Sequence, residues 1–374
     1  MSWSKNWWIA LVLILVVIGV GVGGFFLGKN EAASQYQAER ELNILLNRSD
    51  LEGLGNIEGP IYVTGHKSPD SDTVGSAIAY AALLQQLEYD AHPVVLGDIN
   101  NETKYVLEFA QLNVPELLED ASGCNIVLVD HSEYIQSAEG LRDANIISII
   151  DHHGDGTVTT GNQLIYDSRP LGSTATIVLI RYRNYGLEPD KQVALAMIGA
   201  ILSDTKNLQS NSTTSADREA IKMLSSIAGN PDTESLYQNM LKASLSYDGM
   251  TDNQIFFSDY KEYEVGSKKF SIGCINAYDE ETAKDIAERM KELMPSILES
   301  AGMDMTFAQI SIFHDDIDMT YLIPSDEATA EVLESAFGDK AEFDGTSYIL
   351  SPGISRKQVT VPAITNVLES HPQE

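Results

Sequence analysis

Residues 61–72 read IYVTGHKSPDSD, and this stretch decides how the rest of the chain is interpreted. It opens with IYVTG, a short β-branched run that predicts a buried strand, and polar side chains follow at once. Residues 73–89, TVGSAIAYAALLQQLEY, then have the composition and apolar spacing of a helix. A strand, a polar turn and a helix in this order indicate an α/β fold.

The same alternation continues along the chain. Further apolar runs of strand length are HPVVLG at 92–97, CNIVLVD at 124–130 and NIISIID at 145–151, and helical patterns follow at 175–186 and 190–205. Near-continuous apolar strands that alternate with helices are typical of a parallel sheet covered on both faces. We therefore predict a doubly wound parallel sheet.

The domain organisation follows from shifts in composition. We expect a transmembrane anchor at 1–28, a polar spacer at 29–58, a first α/β domain at 59–243, a linker at 244–252 and a second domain at 253–374. Beyond the linker, runs such as KKFSIGCINA and TFAQISIF alternate with helix-like segments such as ETAKDIAERMKELM. The second domain is therefore predicted to be a smaller α/β domain.

The anchor is predicted from residues 7–27, WWIALVLILVVIGVGVGGFFL, which carry no charge. An apolar helix of about 20 residues spans the hydrocarbon core of a bilayer. A cleaved signal peptide normally has a shorter apolar region that ends in small residues, whereas this run ends in Phe-Phe-Leu. An uncleaved single-pass anchor is favoured, and the few flanking lysines leave open which face of the membrane carries the rest of the chain.

Composition excludes several classes of function. The chain has 24 Lys and Arg against 55 Asp and Glu, a net charge of −31. Proteins that hold nucleic acid need clustered basic residues, so we expect no nucleic-acid partner. The two cysteines, Cys124 and Cys274, are far apart in apolar runs, which excludes a disulfide framework or a thiolate zinc site.

Histidine and aspartate side chains follow the ends of three predicted strands, and a further aspartate ends a helix. The candidate metal ligands are His66, Asp70, Asp72, Asp130, His152 and Asp204. The carboxyl ends of parallel strands meet at one edge of a sheet, so these groups should converge. Mixed imidazole and carboxylate ligation suits Mn²⁺, Co²⁺, Fe²⁺ or Zn²⁺, and this many ligands suffices for two ions that share a carboxylate.

The motifs that carry these residues resemble those of a known family. HKSPDSD, VDHSE, DHH and SDT occur in this order at 66–72, 129–133, 151–153 and 203–205. With them the chain resembles the DHH phosphoesterase superfamily and, within it, the family II inorganic pyrophosphatases. GSTATIV at 172–178 and SRKQVTVP at 355–362 are similar to further signatures of that family, and the resemblance extends over 61–362. Ser68 and Ser71 depart from its usual Asn-Pro-Asp-Thr-Asp motif.

The resemblance implies a role for each matched residue. His66, Asp70 and Asp130 would hold one metal, and Asp72, Asp130, His152 and Asp204 the other, with Asp130 bridging. His153 and Asp130 would be the catalytic residues, and His153 would face the substrate and help to protonate the leaving phosphate. The residues that bind pyrophosphate oxygens would be His153, Lys261, Arg356 and Lys357. The two domains would be a DHH domain and a DHHA2-like domain.

The function implied is hydrolysis of pyrophosphate to two phosphates by a hydroxide that bridges two metals, Mn²⁺ or Co²⁺, with Mg²⁺ accompanying the substrate. A homodimer is implied as well. One alternative is a DHH-type phosphoesterase that acts on short polyphosphate or a nucleotide phosphodiester. A third hypothesis is a non-catalytic, membrane-tethered sensor of phosphate or metal, against which the intact ligand set argues.

Overall fold

The computed structural model describes residues 34–54, 57–312 and 318–370. The chain divides into two compact units, the first ending at Tyr237 and the second beginning at Gln238. This division falls inside the helix Thr233–Ser244 and therefore ahead of the predicted linker 244–252. The domain boundaries predicted from the sequence, 59–243 and 253–374, remain predictions.

The first unit is built on a six-stranded parallel sheet. Its strands are β1 (Ile61–Thr64), β2 (Ala91–Val95), β3 (Glu116–Leu117), β4 (Asn125–Val129), β5 (Asn145–Asp151) and β6 (Ile165–Ser168). Their spatial order is β3-β2-β1-β4-β5-β6, and every neighbouring pair is parallel. The chain winds outward from β1 in one direction and from β4 in the other, so the strand order switches between β1 and β4. The predicted α/β fold with a parallel sheet is confirmed.

Several helices of the first unit begin after a polar capping residue. The helices are α1 (34–52), α2 (Ser71–Gln86), α3 (Asn101–Ala110), α4 (Thr174–Asn184), α5 (Lys191–Asp204), α6 (Ser215–Ala228) and α7 (Thr233–Ser244), the last of which contains the division. Asp70, Ser173 and Asp190 each accept a hydrogen bond from a backbone amide in the first turn of α2, α4 and α5. Such caps satisfy amides that have no partner inside the helix.

One face of the sheet is covered without helices. In the described chain, the connections from β4 to β5 and from β5 to β6 contain only irregular segments and short 3₁₀ turns, at Tyr134–Gln136 and Leu141–Asp143. Side chains from these segments pack on apolar residues of β4 and β5 in one buried cluster. Helices were expected to cover this face as well, but in the described residues the two connections form short 3₁₀ turns and irregular segments instead.

The predicted spacer contributes α1, and the C-terminal end of this helix packs against the end of α4 within the first unit. The guanidinium of Arg48 donates a 2.9 Å hydrogen bond to the carbonyl of Tyr185, and Asp50 lies 3.7 Å from Arg181. Leu51 is only 5% exposed. In the described part of the chain no helix is long and apolar enough to cross a membrane, and the predicted anchor at 7–27 lies outside it.

The second unit has a mixed six-stranded sheet. Its strands are β7 (Tyr260–Val265), β8 (Lys268–Ala277), β9 (Met305–Ile312), β10 (Thr320–Pro324), β11 (Glu342–Phe343) and β12 (Tyr348–Leu350), in the order β11-β12-β10-β9-β8-β7. Only β8 and β9 pair in parallel. The helices are α8 (Asp252–Phe256), α9 (Glu280–Ala301), α10 (Glu327–Phe337) and α11 (Val361–Ser370). The apolar side chains form two separate clusters. In one, α9 packs against strand residues, and in the other, α10 and α11 pack against a different set of strand residues. The predicted second α/β domain is confirmed.

Candidate metal centre

Five of the six predicted ligands lie at the carboxyl ends of strands β1, β4 and β5 or in the helix that follows β1. His66 and Asp70 follow β1, and Asp72 lies in the first turn of α2. Asp130 follows β4, and His152 follows β5. Because β1 and β4 are the strands at which the strand order switches, these side chains lie in the crevice where open α/β sheets bind their ligands.

The sixth ligand, Asp204, is the last residue of α5, and it joins the same crevice. The ligand atoms form two groups, each within 4.8 Å, that share Asp130. The first contains His66, Asp70 and Asp130, and the second contains Asp72, Asp130, His152 and Asp204. The structure therefore brings all six predicted ligands together in the two sets that the family resemblance implies, and it places His153 in a third group with Asp130 and His152.

Distances in the first group centre on an imidazole nitrogen. The Nε2 atom of His66 lies 3.4 Å from an oxygen of Asp70 and 3.5 Å from Oδ2 of Asp130. In the second group, Nε2 of His152 lies 3.3 Å from Asp204, 3.4 Å from Oδ1 of Asp130 and 4.0 Å from Asp72. The two oxygens of the Asp130 carboxylate thus face different groups.

These spacings fit a bound cation. Ligand atoms about 2.1 Å from one ion are roughly 3.0–3.5 Å apart. The buried Nε2 of His152 also has no hydrogen-bond partner, an unusual condition for a polar atom unless a metal takes its lone pair. The Nδ1 atom of the same ring lies 3.0 Å from the carbonyl of Leu171, which fixes the tautomer with Nε2 free.

Asp130 is held in a strained conformation. Its φ angle is +62°, in the left-handed region that residues other than glycine seldom adopt. Its amide donates to the carbonyl of Ile150 at 2.9 Å, and its carboxylate accepts hydrogen bonds from the hydroxyls of Thr73 at 2.7 Å and Thr174 at 3.0 Å. Such strain persists where the surroundings over-determine the backbone, which is common at functional sites.

Asp72 is fully buried against the start of α4. Its carboxylate accepts hydrogen bonds from the amides of Thr174 and Ala175, at 2.6 and 3.0 Å, and from the hydroxyl of Ser173 at 2.7 Å. The N-terminus of a helix favours a negative charge at this place. Ser173 and Thr174 are site residues that the sequence argument did not assign, although the motif GSTATIV contains both.

The crowded carboxylates have shifted pKa values in the protein without metal. Burial and the charge of Asp130 raise the pKa of Asp72 to about 7. Burial and the charges of Asp72 and Asp130 raise the pKa of Asp204 to about 10. Burial alone would raise the pKa of Asp130, but the adjacent imidazoles of His152 and His66 outweigh it and hold this pKa well below its usual range.

The pKa values of the two imidazoles are raised, although burial by itself would lower them. Burial alone would lower the pKa of His66 and His152, but the adjacent carboxylates of Asp130 and its neighbours outweigh it and raise both pKa values to about 10. Protons therefore compensate the carboxylates when no cation is present. A divalent ion would replace these protons, as expected for a site whose ligands must lose protons to bind metal.

His153 is placed differently from the ligand histidine before it. Its side chain is 57% exposed, and its Nδ1 lies 3.0 Å from Oδ1 of the buried Asp151. The Asp151 hydrogen bond raises the pKa of His153 above its ordinary value. With Nδ1 next to Asp151 and more than half of the side chain exposed, Nε2 of His153 is available as a proton donor. Asp151 belongs to the DHH motif at 151–153, but no role for it was predicted from the sequence.

The predicted anion-binding residues lie in the second unit. Arg356 donates 2.7 Å hydrogen bonds to the carbonyl and the carboxylate of Asp259, which precedes β7. Lys261 is exposed on β7 two positions later. Lys357 lines a cavity together with Arg356 and Cys274. The structure therefore gathers these three cations within one unit.

Comparison with protein families assigns both units. Residues 60–201 match the model described as the DHH family, N-terminal domain. Residues 238–367 match the DHHA2 domain.

The chain covers nearly the whole length of its curated relatives. The chain is 35% identical over 314 residues to the manganese-dependent inorganic pyrophosphatase of Methanothrix thermoacetophila, covering 83% of this chain and 98% of that protein. It is 32% identical over 310 residues to the enzyme of the same name from Bacillus subtilis, covering 82% and 98%. A solved structure, described as a putative family II inorganic pyrophosphatase from Methanococcus jannaschii, aligns with a TM-score of 0.50 at 33% identity, covering 83% of this chain and 99% of that one.

Proposed function

The chain belongs to the family of manganese-dependent inorganic pyrophosphatases, and on this premise we propose that it hydrolyses inorganic pyrophosphate at the metal centre described above. The observation that carries the proposal is the convergence of the six predicted ligands into two groups that share Asp130. Hydrolysis consumes one water, breaks one P–O bond of the bridge and yields two phosphates.

Two divalent cations, Mn²⁺ or Co²⁺, are proposed to bind these groups, one held by His66, Asp70 and Asp130 and the other by Asp72, Asp130, His152 and Asp204. When bound, they would supply Lewis-acid stabilisation of phosphoryl charge and acidify the attacking water. Support comes from the donor set, since mixed imidazole and carboxylate ligands suit Mn²⁺. Mg²⁺ is proposed to enter with the substrate.

The chain's own residues supply protons and charge. The free Nε2 of His153 is proposed to donate a proton to the leaving phosphate oxygen, while Asp151 orients the ring and stabilises its charged form. Arg356, Lys357 and Lys261 are proposed to bind the pyrophosphate oxygens, because a guanidinium takes two phosphate oxygens at once and a lysine adds a point charge.

The activity is tested on the full-length chain, purified in detergent and stripped of metal with a chelator. We expect phosphate release from pyrophosphate to return on addition of Mn²⁺. Parallel assays with tripolyphosphate and a bis-nitrophenyl phosphodiester separate the alternative substrates. Tight pyrophosphate binding with no phosphate release under any metal would contradict hydrolysis and favour a sensor.

Residues 7–27 are proposed to anchor the enzyme in a membrane as a single helix. The support is their uninterrupted apolar sequence, which is long enough to span a bilayer. We expect the chain in the membrane fraction, resistant to extraction by carbonate, and release by alkali would contradict the anchor. Protease protection in sealed vesicles decides which face carries the catalytic unit.

A homodimer is proposed from the family resemblance. Light scattering of the detergent-solubilised chain, corrected for bound detergent, should give twice the mass of the single chain. A monomeric mass at micromolar concentration would contradict it.

A further inference from the structure

A carboxylate outside the two ligand groups connects two of the helices that carry them. Glu102 lies in the first turn of α3, and its Oε1 atom accepts hydrogen bonds from the hydroxyl of Ser71, at 3.0 Å, and from the hydroxyl of Ser203. Ser71 stands between two candidate ligands at the start of α2, and Ser203 directly precedes the candidate ligand at the end of α5. One oxygen thus joins the beginning of α2 to the end of α5.

Asp204 is the candidate carboxylate ligand with the least support of its own. Asp72 and Asp130 accept hydrogen bonds from backbone amides or hydroxyl groups, and Asp70 accepts one from the amide of Thr73. Within residues 57–312, Asp204 accepts none from an amide or a hydroxyl, and its close contact is Nε2 of His152 at 3.3 Å. The position of its carboxylate therefore depends on the last turn of α5.

That last turn is followed by an unfavourable stretch of backbone. Lys206, Asn207 and Leu208 have φ angles of +48°, +54° and +63°. Consecutive left-handed residues other than glycine are disfavoured, so the end of α5 needs restraint from neighbouring elements. The hydrogen bond from Ser203 to Glu102 provides such a restraint from α3.

We propose that Glu102 is a positioning residue for the metal centre, which holds Asp204 in place through Ser203. The inference rests on the proposed binding of two metals. A residue of this kind acts through a ligand and never touches the ion, and its loss typically weakens metal binding about 10- to 100-fold.

A simpler role for Glu102 would be to favour the start of α3, since acidic residues in a first turn interact well with the helix dipole. That start already has a cap, because the side chain of Asn100 accepts a 2.8 Å hydrogen bond from the amide of Thr103. A local role also leaves unexplained why both hydroxyls from other helices point at the same carboxylate oxygen. The two roles predict different effects on metal binding.

The test is a titration of the metal-stripped full-length chain with Mn²⁺, in which electron paramagnetic resonance and calorimetry measure the affinity of each site. Glu102→Ala is expected to weaken one of the two Mn²⁺ sites at least tenfold and to leave the other within about twofold. Glu102→Gln keeps an oxygen acceptor and should restore wild-type affinity. Ser203→Ala should reproduce Glu102→Ala, and the double variant should be no weaker than either single variant because both remove the same bond.

Glu108→Ala is the matched control, because it removes an exposed glutamate from the same helix. Wild-type affinity at both sites in Glu102→Ala would overturn the inference, and so would Glu102→Gln binding as weakly as Glu102→Ala. Circular dichroism checks that each variant folds. If Glu102→Ala does not fold, the Mn²⁺ affinity of Ser203→Ala tests the inference in its place. A wild-type chain that binds no Mn²⁺ would instead overturn the proposed metal centre itself.

Discussion

The carboxylate of Asp130 is placed so that each oxygen serves a different group. Oδ2 lies 3.5 Å from His66, and Oδ1 lies 3.4 Å from His152. We expect Asp130→Asn to weaken both Mn²⁺ sites, because an amide gives up one oxygen and all of the negative charge. Asp70→Asn should weaken only one. Metal per chain, measured by elemental analysis after gel filtration, distinguishes the two. Equal losses in both variants would contradict the shared role of Asp130.

Cys274 offers a second prediction at the scale of one residue. Burial raises the pKa of its thiol from 9.0 to about 11, and the nearby Arg356 opposes this rise only in part. A raised pKa means less thiolate at a given pH, and only the thiolate reacts with alkylating agents. In a Cys124→Ser background, the alkylation rate should therefore rise about tenfold per pH unit from pH 7.5 to 9.5 without levelling off.

Mass spectrometry of iodoacetamide-treated protein measures that rate. Cys274→Ser supplies the background control, which should not be labelled. A rate that reaches a plateau below pH 9 would show that the thiol is not buried as the structure places it.

Single residues also show where sequence reasoning reaches its limit. All six candidate ligands were predicted because each follows a strand or ends a helix, and parallel topology sends such positions to one edge. The left-handed backbone of Asp130 and the donors Ser173 and Thr174 were not predicted. These features depend on contacts between segments about 40 to 100 positions apart, which no local pattern encodes.

At the scale of elements, α2 and α5 are packed tightly through glycine. A Cβ atom on Gly75 would lie 3.0 Å from the Cβ of Ala200 and 3.1 Å from the carbonyl oxygen of Ala196. Glycine to alanine in a helix normally stabilises by roughly 1 kcal/mol. Here we expect Gly75→Ala to lower the free energy of unfolding by about 1–3 kcal/mol, because overpacking outweighs the gain in propensity.

Urea denaturation followed by circular dichroism gives this free energy. Gly161→Ala is the matched control, since nothing lies within 4 Å of a Cβ there, and it should change stability by less than about 0.5 kcal/mol. A Gly75→Ala protein that is more stable than the wild type would show that α2 and α5 can separate at little cost. Because Asp72 lies in the first turn of α2 and Asp204 ends α5, the variant should also weaken Mn²⁺ binding.

Elements were predictable where burial leaves a strong pattern. β1, β4 and β5 are apolar almost throughout because both faces of the sheet are covered, and they were found from sequence. β7 was missed because none of its side chains is buried and half of them are charged, so it lacks an apolar period although it carries Lys261. β3 and β11 are two residues long, and no sequence signal is that short.

At the scale of the whole molecule, the net charge of −31 has a measurable consequence. Several acidic groups lie in the candidate metal centre, and bound cations would neutralise only the charges of these groups. Most of the remaining excess lies on exposed side chains, where like charges repel and oppose the compact state. Such repulsion is screened as the Debye length falls from about 30 Å at 0.01 M salt to about 10 Å at 0.1 M.

We therefore expect the thermal midpoint of the Mn²⁺-loaded chain to rise with ionic strength, most steeply below about 0.1 M. Calorimetry in KCl from 0.01 to 0.5 M measures the rise, and tetramethylammonium chloride at equal ionic strength is the control for specific K⁺ binding. Screening depends on ionic strength alone, so the two salts should give the same curve. A midpoint that stays constant or falls would mean that ion pairs such as Arg181 with Asp167, 2.7 Å apart, outweigh the repulsion among the acidic side chains. A rise in KCl alone would point to bound K⁺.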